Sequence, residues 1–414
     1  MNVFRVALAY AKRRPLATSF NVALLAVGVA TITLVLLLSH ELEQRLLREA
    51  TGIDLVVGAK GSPLQLVLAG IYHADVPPGN VPLEAVQALA RRPLVREVIP
   101  MALGDSYRGF RIVGTEPAFV AHYGAAPASG RAWAAPMEVL LGSEVARASG
   151  LMVGSAFTGS HGLGEGGGQH EAAPYRVVGV LAPTGRVIDR LVLTGIESVW
   201  RVHEHPDADA EHDHDAHADH SQSAPAAATP ATAAREVTLA LVKYTSPVAA
   251  ASLPRAINTE TVLQAASPAY ESARLFTVFG VGTDVVRGFA LLLIGASAFG
   301  LFVALTQALD ERRYDLAIMR ALGARRGTIV AVLLIESMLL AATGLVVGLG
   351  LAHGLAASAG TWLPAAAPLA AGARAWQPEE WGIVVLALGA GIIATLLPAW
   401  RAYRLDVAAT LADG

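Results

Sequence analysis

The chain has 414 residues, of which 54% are hydrophobic and 16% are charged, and its formal net charge at pH 7 is -3. This balance departs from that of an ordinary soluble domain towards that of a membrane protein. The near-neutral net charge gives no support for a nucleic-acid partner. The sequence contains no cysteine, which excludes a disulfide framework and thiolate chemistry.

The N-terminal segment combines basic residues with a helical apolar pattern. Apolar residues between Val3 and Leu8 recur at helical spacing beside basic side chains, and Pro15 ends the pattern. This predicts an amphipathic helix on the inner membrane surface. The apolar run that follows, near 17–39, is longer than the core of a signal peptide and has no small-residue cleavage site. We therefore expect it to remain as a transmembrane helix.

Three further apolar runs lie near residues 288–309, 328–351 and 382–400. A bilayer core about 30 Å thick needs about 20 helical residues, and each run approaches or exceeds that length. The sequence therefore predicts four transmembrane helices in a 1+3 arrangement. A long stretch of mixed, soluble-like composition separates the first helix from the other three.

The positions of the cations predict the orientation of these helices. Basic residues precede the first run, fill the segment between the second and third runs, and follow the fourth, whereas the loop 352–381 contains a single cation, Arg374. Short cytoplasmic segments of membrane proteins are enriched in Lys and Arg. Both termini are therefore predicted to be cytoplasmic, with the long stretch outside, in a bacterial inner (plasma) membrane.

The long stretch contains patterns of both strands and helices. Residues 97–115, 175–181 and 237–243 are strand-like, and 82–91 and 143–149 are helical, which indicates an α+β fold. A segment at about 203–234 interrupts this pattern and is predicted to be disordered. The predicted domains are 1–40 (cytoplasmic amphipathic segment and helix 1), 41–284 (a large extracytoplasmic α+β domain) and 285–414 (helices 2–4).

Three segments resemble a known family of permeases. Residues 311–324 read ERRYDLAIMRALGA and precede an apolar helix, as in the FtsX-like permease signature of MacB-type (type VII) ABC transporters. Residues 139–154 (VLLGSEVARASGLMVG) and 175–190 (YRVVGVLAPTGRVIDR) resemble the periplasmic core domain of that family. Asp315 departs from the pattern, since the family more often has Glu there, and the histidine-rich insertion is not part of it.

The resemblance implies a dimer of permeases, identical or paralogous, that carries two ATPase subunits on its cytoplasmic side. ATP would bind to those partners, and this sequence has no phosphate-binding loop with the required glycine-lysine spacing. Movement driven by ATP would reach the outward domains by mechanotransmission. The family's substrates are periplasmic or outer-leaflet lipoproteins, peptides, haem or drug-like molecules. An alternative is a non-transporting regulator of an envelope enzyme.

The segment between the second and third runs is the candidate contact with the ATPase. On a helix, Leu316, Met319, Ala321 and Leu322 would supply apolar contacts, and the arginines would bind acidic groups. The alternative is that the arginines only fix the topology. The candidate coupling residues are Glu311, Arg312, Arg313, Asp315, Leu316, Met319, Arg320, Leu322 and Gly323.

The third run contains a carboxylate and closely spaced glycines. Glu336 should face protein, because an unpaired charge is costly inside the bilayer; it is either a structural partner of another helix or part of a proton relay. Gly344 and Gly348 have the small-xxx-small spacing of close helix contacts. They are assigned to packing within one chain or to the dimer seam.

The insertion is rich in histidine and acidic residues. Imidazole and carboxylate groups at this density are ligands for zinc, copper or nickel. A metal-linked envelope system is therefore a third hypothesis, and a solvated acidic linker is the alternative. The candidate ligands are His203, His205, His212, His214, His217 and His220.

Overall fold

The computed structural model describes residues 15–162, 174–203, 235–311, 313–362, 372 and 375–404. The chain forms two compact units: Met1–Gln44 with Phe276–Gly414, and Arg45–Leu275. The first is called the membrane unit below, and the second the domain unit. The predicted N-terminal amphipathic segment lies outside the described residues, as does the histidine-rich insertion beyond His203.

Helix α1 spans Pro15–Ala50 and contains the first predicted run. The helix continues well beyond that run because the sequence ELEQRLLREA, residues 41–50, consists mostly of strong helix formers. Gly52 follows the end of the helix with a φ of 83°. This left-handed conformation is one that glycine adopts without strain at a helix C-terminus.

The domain unit is built on an eleven-stranded sheet and a separate two-stranded pair. The strands are β1 Leu55–Ala59, β2 Val81–Pro82, β3 Val95–Tyr107, β4 Phe110–Thr115, β5 Pro127–Gly130, β6 Glu138–Leu141, β7 Ala156–Phe157, β8 Ser160–His161, β9 Tyr175–Leu181, β10 Val192–Gly195, β11 Glu236–Val237, β12 Leu239–Tyr244 and β13 Leu263–Ala266. The main order is β13-β1-β12-β3-β4-β10-β6-β9-β5; β7 adds to β9, β8 adds to β3, and β11 pairs with β2. The β10–β4 and β6–β9 pairs are parallel. The strands predicted at 97–115, 175–181 and 237–243 are confirmed.

Both faces of the main sheet are covered. Among the described residues, six α-helices lie wholly within the domain unit: α2 Pro63–Gly70, α3 Leu83–Ala90, α4 Pro117–His122, α5 Ser143–Ser149, α6 Ile196–His203 and α7 Ala249–Glu260. Alternate residues of β3 point to opposite faces, so Met101 joins the core that contains Phe119, while Ala102 joins the core that contains Leu253. The α+β fold follows from this alternation of helices and strands around two apolar layers.

The remaining helices are α8 Pro268–Glu311, α9 Arg313–Ala321, α10 Arg326–Trp362 and α11 Glu380–Tyr403. Helices α1, α8, α10 and α11 are each long and apolar enough to cross a membrane, which confirms the 1+3 arrangement. Apolar clusters join them, for example Leu305 with Leu333 and Ala394, and Leu25 with Ile294 and Ala387. Many outward side chains are large and exposed, as expected for surfaces that face lipid.

Candidate functional site

Helix α9 is a short helix between two long ones, and it contains most of the predicted coupling residues. It ends in a Schellman motif: the Ala324 amide donates to the Met319 carbonyl (3.0 Å) and the Gly323 amide donates to the Arg320 carbonyl (3.0 Å). Gly323 has a φ of 100°, a conformation that favours glycine. The chain then turns and enters α10 at Arg326. Gly323 therefore sets the length of α9 and the exit of the chain from it.

One face of α9 and the residue after it carries exposed apolar side chains. Tyr314, Ile318 and Leu322, spaced four residues apart, are 49%, 37% and 82% exposed, and this spacing places them on one side of a helix. We call these three residues the apolar stripe. Ala317 is fully buried and Met319 packs against the membrane-unit core. Helix α9 is thus held by one face and offers the other to a partner.

Charged groups surround the apolar stripe. Arg313 pairs with Asp310 at 2.8 Å, and both side chains are more than half exposed, so this pair contributes little to stability. Arg326 lies over the Tyr403 ring at 5.5 Å, a cation–π contact between the first residue of α10 and the last of α11. Arg325 is exposed. Residues 310–326 contain five arginines and three acidic residues, and this excess of basic residues near the apolar stripe suits a partner with acidic residues around an apolar patch.

The side chains of α9 that are exposed to a partner differ in part from those predicted from the sequence. Met319 faces the bundle, so it is less available to a partner than the sequence indicated, whereas Leu322 is fully presented. The sequence analysis did not include Tyr314 and Ile318 among the coupling residues. Both lie at four-residue intervals before Leu322, and this helical spacing could have identified them. Arg312 lies outside the described residues, and the side chains of Asp315 and Leu316 are likewise not described. Glu311 is exposed, and Arg320 is half-buried.

The residues predicted for helix packing lie inside the membrane unit. Glu336 is 5% exposed, as the cost of placing a carboxylate in lipid requires. A Cβ added at Gly344 would lie 2.8 Å from the Leu25 side chain, and one at Gly348 would lie 2.7 Å from the Ala26 carbonyl oxygen. Both glycines therefore pack α10 against α1 of the same chain, and a role in the dimer seam stays a prediction.

A side-chain contact between α10 and α11 was not predicted. His353 Nε2 lies 3.0 Å from Glu380 Oε2, and the Gln377 amide donates to Glu380 Oε1 at 2.9 Å. The Glu380 side chain is fully buried, and His353 is partly exposed. Each is a polar residue in or beside an apolar run, which is the signal that could have identified them.

The candidate metal ligands cannot be placed together. His203 is the last residue of α6, and the other five histidines lie outside the described residues. Among the residues that the structure does describe, no group of three or more His, Cys, Asp or Glu side chains could hold a metal ion. Metal binding by the insertion stays a prediction from the sequence.

Two family models match this chain, and they cover different parts of it. Residues 287–407 match the model described as FtsX-like permease C-terminal, which takes in α9, α10 and α11. Residues 18–208 match the MacB-like periplasmic core domain, which takes in most of α1 and the strands up to β10. The chain is therefore FtsX-like over residues 287–407 and MacB-like over residues 18–208. This FtsX-like permease is a multi-pass membrane protein with a MacB-like domain between its first and second long helices.

A curated relative supports the same family. The "Uncharacterized ABC transporter permease YknZ" of Bacillus subtilis (strain 168) is 29% identical over 149 residues, which are 36% of this FtsX-like permease. The match also spans 36% of the relative's length.

Two solved structures are similar to about half of this chain. The periplasmic region of MacB from Actinobacillus actinomycetemcomitans is 12% identical, with a TM-score of 0.35, and the match covers 55% of this permease and 95% of that chain. The extracellular domain of the noncanonic ABC-type transporter YknZ from Gram-positive bacteria is 13% identical, with a TM-score of 0.30, and the match covers 51% and 98%.

Proposed function

We propose that this chain is the permease subunit of an ABC transporter and that a separate cytoplasmic ATPase binds its α9 helix. The observation that carries the proposal is the apolar stripe of Tyr314, Ile318 and Leu322, exposed on a short helix that the membrane unit holds by its opposite face. Exposed apolar side chains in a row indicate a protein contact when basic residues surround them. The same segment falls within the FtsX-like match.

Helix α9 is suited to transmit force. It lies between α8 and α10 in the chain, and Met319 anchors it on the membrane-unit core. A rigid short helix moves as one body, so closure of two ATPase subunits would displace α8 and α10 together. In this mechanism the displacement passes along the long helices to the extracytoplasmic domain, and ATP is hydrolysed on the partner.

The mechanism requires a second permease copy, identical or paralogous, because one ATPase subunit of a closing pair would bind each α9. We place both termini and α9 in the cytoplasm and the domain unit in the periplasm, on the basis of the cation distribution in the short segments. The domain would release or expel a periplasmic or outer-leaflet substrate, such as a lipoprotein, peptide, haem or drug-like molecule. A periplasmic protein or lipoprotein is the expected additional partner.

The test is a comparison of two leucine substitutions. Leu322→Glu places a charge in the apolar stripe, and Leu16→Glu makes the same change at an 86% exposed position near the start of α1. The native complex is purified through this chain, and its components are identified by mass spectrometry. We expect an ATPase at about one copy per permease with the native chain and Leu16→Glu, and at least about a tenfold loss with Leu322→Glu, since hot-spot residues contribute 2 kcal/mol or more.

Two outcomes would contradict the proposal. The absence of any ATPase from the gently solubilised native complex would remove the energy source. An equal loss of ATPase in both variants would show that the apolar stripe is not the contact. The same spectra report any co-purified lipoprotein or envelope enzyme, which separates transport from regulation.

We further propose that the histidine-rich insertion binds zinc. The support is its composition: six histidines between His203 and His220 alternate with acidic residues, and neutral imidazole and carboxylate groups are zinc ligands. Titration of the purified permease with Zn²⁺ should show binding that a chain lacking residues 203–220 does not. Unchanged Zn²⁺ binding by the shortened chain would overturn this proposal. If cells that carry the shortened chain respond to metal stress as cells with the native chain do, the insertion has no physiological role in metal handling.

A further inference from the structure

The C-terminal end of α1, residues 45–50, belongs to the domain unit and is capped by side chains of that same unit. The last carbonyl groups of a helix have no partner within it. Here the Leu46 carbonyl accepts from Tyr72 Oη at 3.2 Å, the Leu47 carbonyl from Thr51 Oγ1 at 2.7 Å, and the Arg48 carbonyl from Arg186 Nη2 at 2.7 Å. Two of these donors come from distant segments of the chain, so the end of α1 is fastened to two other segments of the domain unit.

Arg186 makes three different contacts at this point. Besides its bond to the Arg48 carbonyl, its Nε lies 3.6 Å from Glu49 Oε2, and its guanidinium lies 4.4 Å from the centre of the Tyr123 ring. The adjacent Val187 amide donates to Glu49 Oε1 at 3.2 Å. A cation at a helix C-terminus also interacts favourably with the helix dipole. We call Arg186, Glu49, Tyr123 and Tyr72 the helix-end clamp.

The loop that presents Arg186 is held rigidly. The buried carboxylate of Asp189 accepts hydrogen bonds from the Thr184 amide (2.9 Å), the Thr184 hydroxyl (3.0 Å) and the Gly185 amide (2.7 Å). Gly185 adopts a φ of 71°, which favours glycine. Hydrogen bonds to a carboxylate are among the stronger ones in proteins. Arg186 therefore meets α1 from a preorganised position.

Tyr72 connects α1 to α8. Its hydroxyl lies 2.8 Å from Ser272 Oγ, in the first turns of α8, and 3.2 Å from the Leu46 carbonyl. A phenol has one proton, so Tyr72 donates to the carbonyl and accepts from Ser272. Burial raises the pKa of the Tyr72 hydroxyl, which keeps it protonated at neutral pH. One side chain thus joins the two helices through which the chain enters and leaves the domain unit.

We propose that the helix-end clamp is the device that converts a displacement of α1 and α8 into movement of the domain unit, with Arg186 and Tyr72 as its positioning residues. This inference rests on the proposed function. The chain enters the domain unit at Arg45 and leaves it at Leu275, so force carried by the covalent chain arrives at these two helices. The helix-end clamp fixes α1 to the loop 184–190 through Arg186, and it fixes both α1 and α8 to the segment after α2 through Tyr72.

The experiment uses the full chain, reconstituted with its ATPase in nanodiscs. Hydrogen exchange of peptides from 45–275 is measured with and without ATP plus vanadate, and ATP turnover is measured in the same samples. The variants are Arg186→Ala, Arg186→Lys and Tyr72→Phe. Arg190→Ala is the matched control, because Arg190 belongs to the same segment and, within the described parts of the chain, pairs with Glu144 at 3.8 Å through a largely exposed side chain.

We expect the nucleotide-dependent change in exchange to fall about tenfold in Arg186→Ala, since a hydrogen bond to a charged group accounts for a change of that size. Tyr72→Phe, which keeps the ring, should show a smaller loss, and Arg186→Lys should restore part of the response. Arg190→Ala should match the native chain. ATP turnover should stay within about twofold in all variants, because they leave α9 unchanged.

The outcomes separate the inference from the proposed function. A native-size response in both Arg186→Ala and Tyr72→Phe would overturn the role of the helix-end clamp while leaving the transporter assignment intact. If the native chain neither binds an ATPase nor responds to nucleotide, the proposed function fails first and the inference fails with it. Hydrogen exchange without nucleotide could also increase throughout 45–275, equally in Arg186→Ala and Arg186→Lys. That result would mean that the helix-end clamp only stabilises the end of α1, and it would also overturn the inference.

Discussion

Gly348 lies so close to Val29 that a Cβ added to the glycine would come within 2.7 Å of the Val29 Cβ. Real Cβ atoms do not approach one another this closely, so the contact between α10 and α1 depends on the missing side chain. Gly344 makes the same kind of contact with Leu25 one turn away. The first helix is therefore an integral part of the membrane unit.

Gly348→Val should destabilise the membrane unit by about 1–3 kcal/mol, because overpacking forces the helices apart. Gly354→Val is the matched control: it lies on the same helix, and its added Cβ would meet nothing within 4 Å among the described residues. Thermal unfolding in nanodiscs measures both variants. Equal unfolding temperatures would show that α1 is not packed against Gly348 in the membrane.

The sequence was sufficient for the layout, because each feature that defines it is local. Four apolar runs give the helices, and period-two alternation gives strands such as β9 and β12. Helix length was underestimated, since Glu41 to Ala50 continue α1 without an apolar signal. The pairing order of the sheet depends on contacts between distant residues, such as Leu55 with Val242, which no local pattern contains.

The candidate site was predicted in position but not in detail. Residues 311–323 were identified from the family resemblance, yet which side of α9 faces outward is decided by packing of Ala317 and Met319 on the bundle. The helix-end clamp was not found at all. Its members are far apart in sequence, and Arg186 and Tyr72 look like ordinary loop residues until the fold brings them to α1.

His353→Ala should be more harmful than Glu380→Gln. Removing the imidazole leaves Oε2 of the fully buried Glu380 without its ring partner, and a buried acceptor that loses its hydrogen-bond partner costs about 1–3 kcal/mol. Glutamine at 380 keeps an oxygen that can accept from the Gln377 amide and removes the charge, so the loss should be smaller. Unfolding temperatures of the two variants in nanodiscs provide the test; the reverse order would mean that the carboxylate is stabilised by other groups.

We expect the domain unit to lose stability in mild acid because of His73. Its ring is buried, and neither ring nitrogen has a hydrogen-bond partner within the described parts of the chain. Burial, with a smaller contribution from nearby Arg111, lowers the pKa of His73 from 6.5 to about 3. Between pH 6.5 and about pH 3, the His73 ring binds a proton in the unfolded chain but not in the folded domain. The free energy of unfolding therefore keeps its full value above pH 6.5 and decreases as the pH falls below it.

Between pH 7 and pH 5 this single group should cost about 2 kcal/mol. The measurement is the unfolding of the domain unit within the full chain, followed by hydrogen exchange at several pH values. His73→Gln removes the titrating group and should flatten the dependence. A slope that persists unchanged in the variant would assign the acid sensitivity to other residues, of which His122 is the nearest in character because burial also lowers its pKa, to about 4.

Reversing two charges on α9 tests whether its arginines bind acidic groups of the ATPase. Arg313→Glu combined with Arg320→Glu should leave membrane insertion intact, because Arg325 and Arg326 still mark the segment as cytoplasmic. Binding to acidic groups on the ATPase should weaken by about 2–5 kcal/mol if these charges are buried in the interface. The measurement is ATP turnover of the reconstituted complex, with the insertion level as its control.

The result also distinguishes the two roles that the sequence allowed for these arginines. If they only fix the topology, the variant inserts less well or in the opposite orientation, and the correctly inserted fraction turns over ATP at the native rate. If they bind the ATPase, orientation is unchanged and turnover is uncoupled from the permease. Substitution of Arg313 separates the two roles more clearly than substitution of Arg320, because the ion pair of Arg313 with Asp310 is exposed and contributes little to the free energy of folding. Arg313→Glu alone should therefore lower coupling without lowering the unfolding temperature.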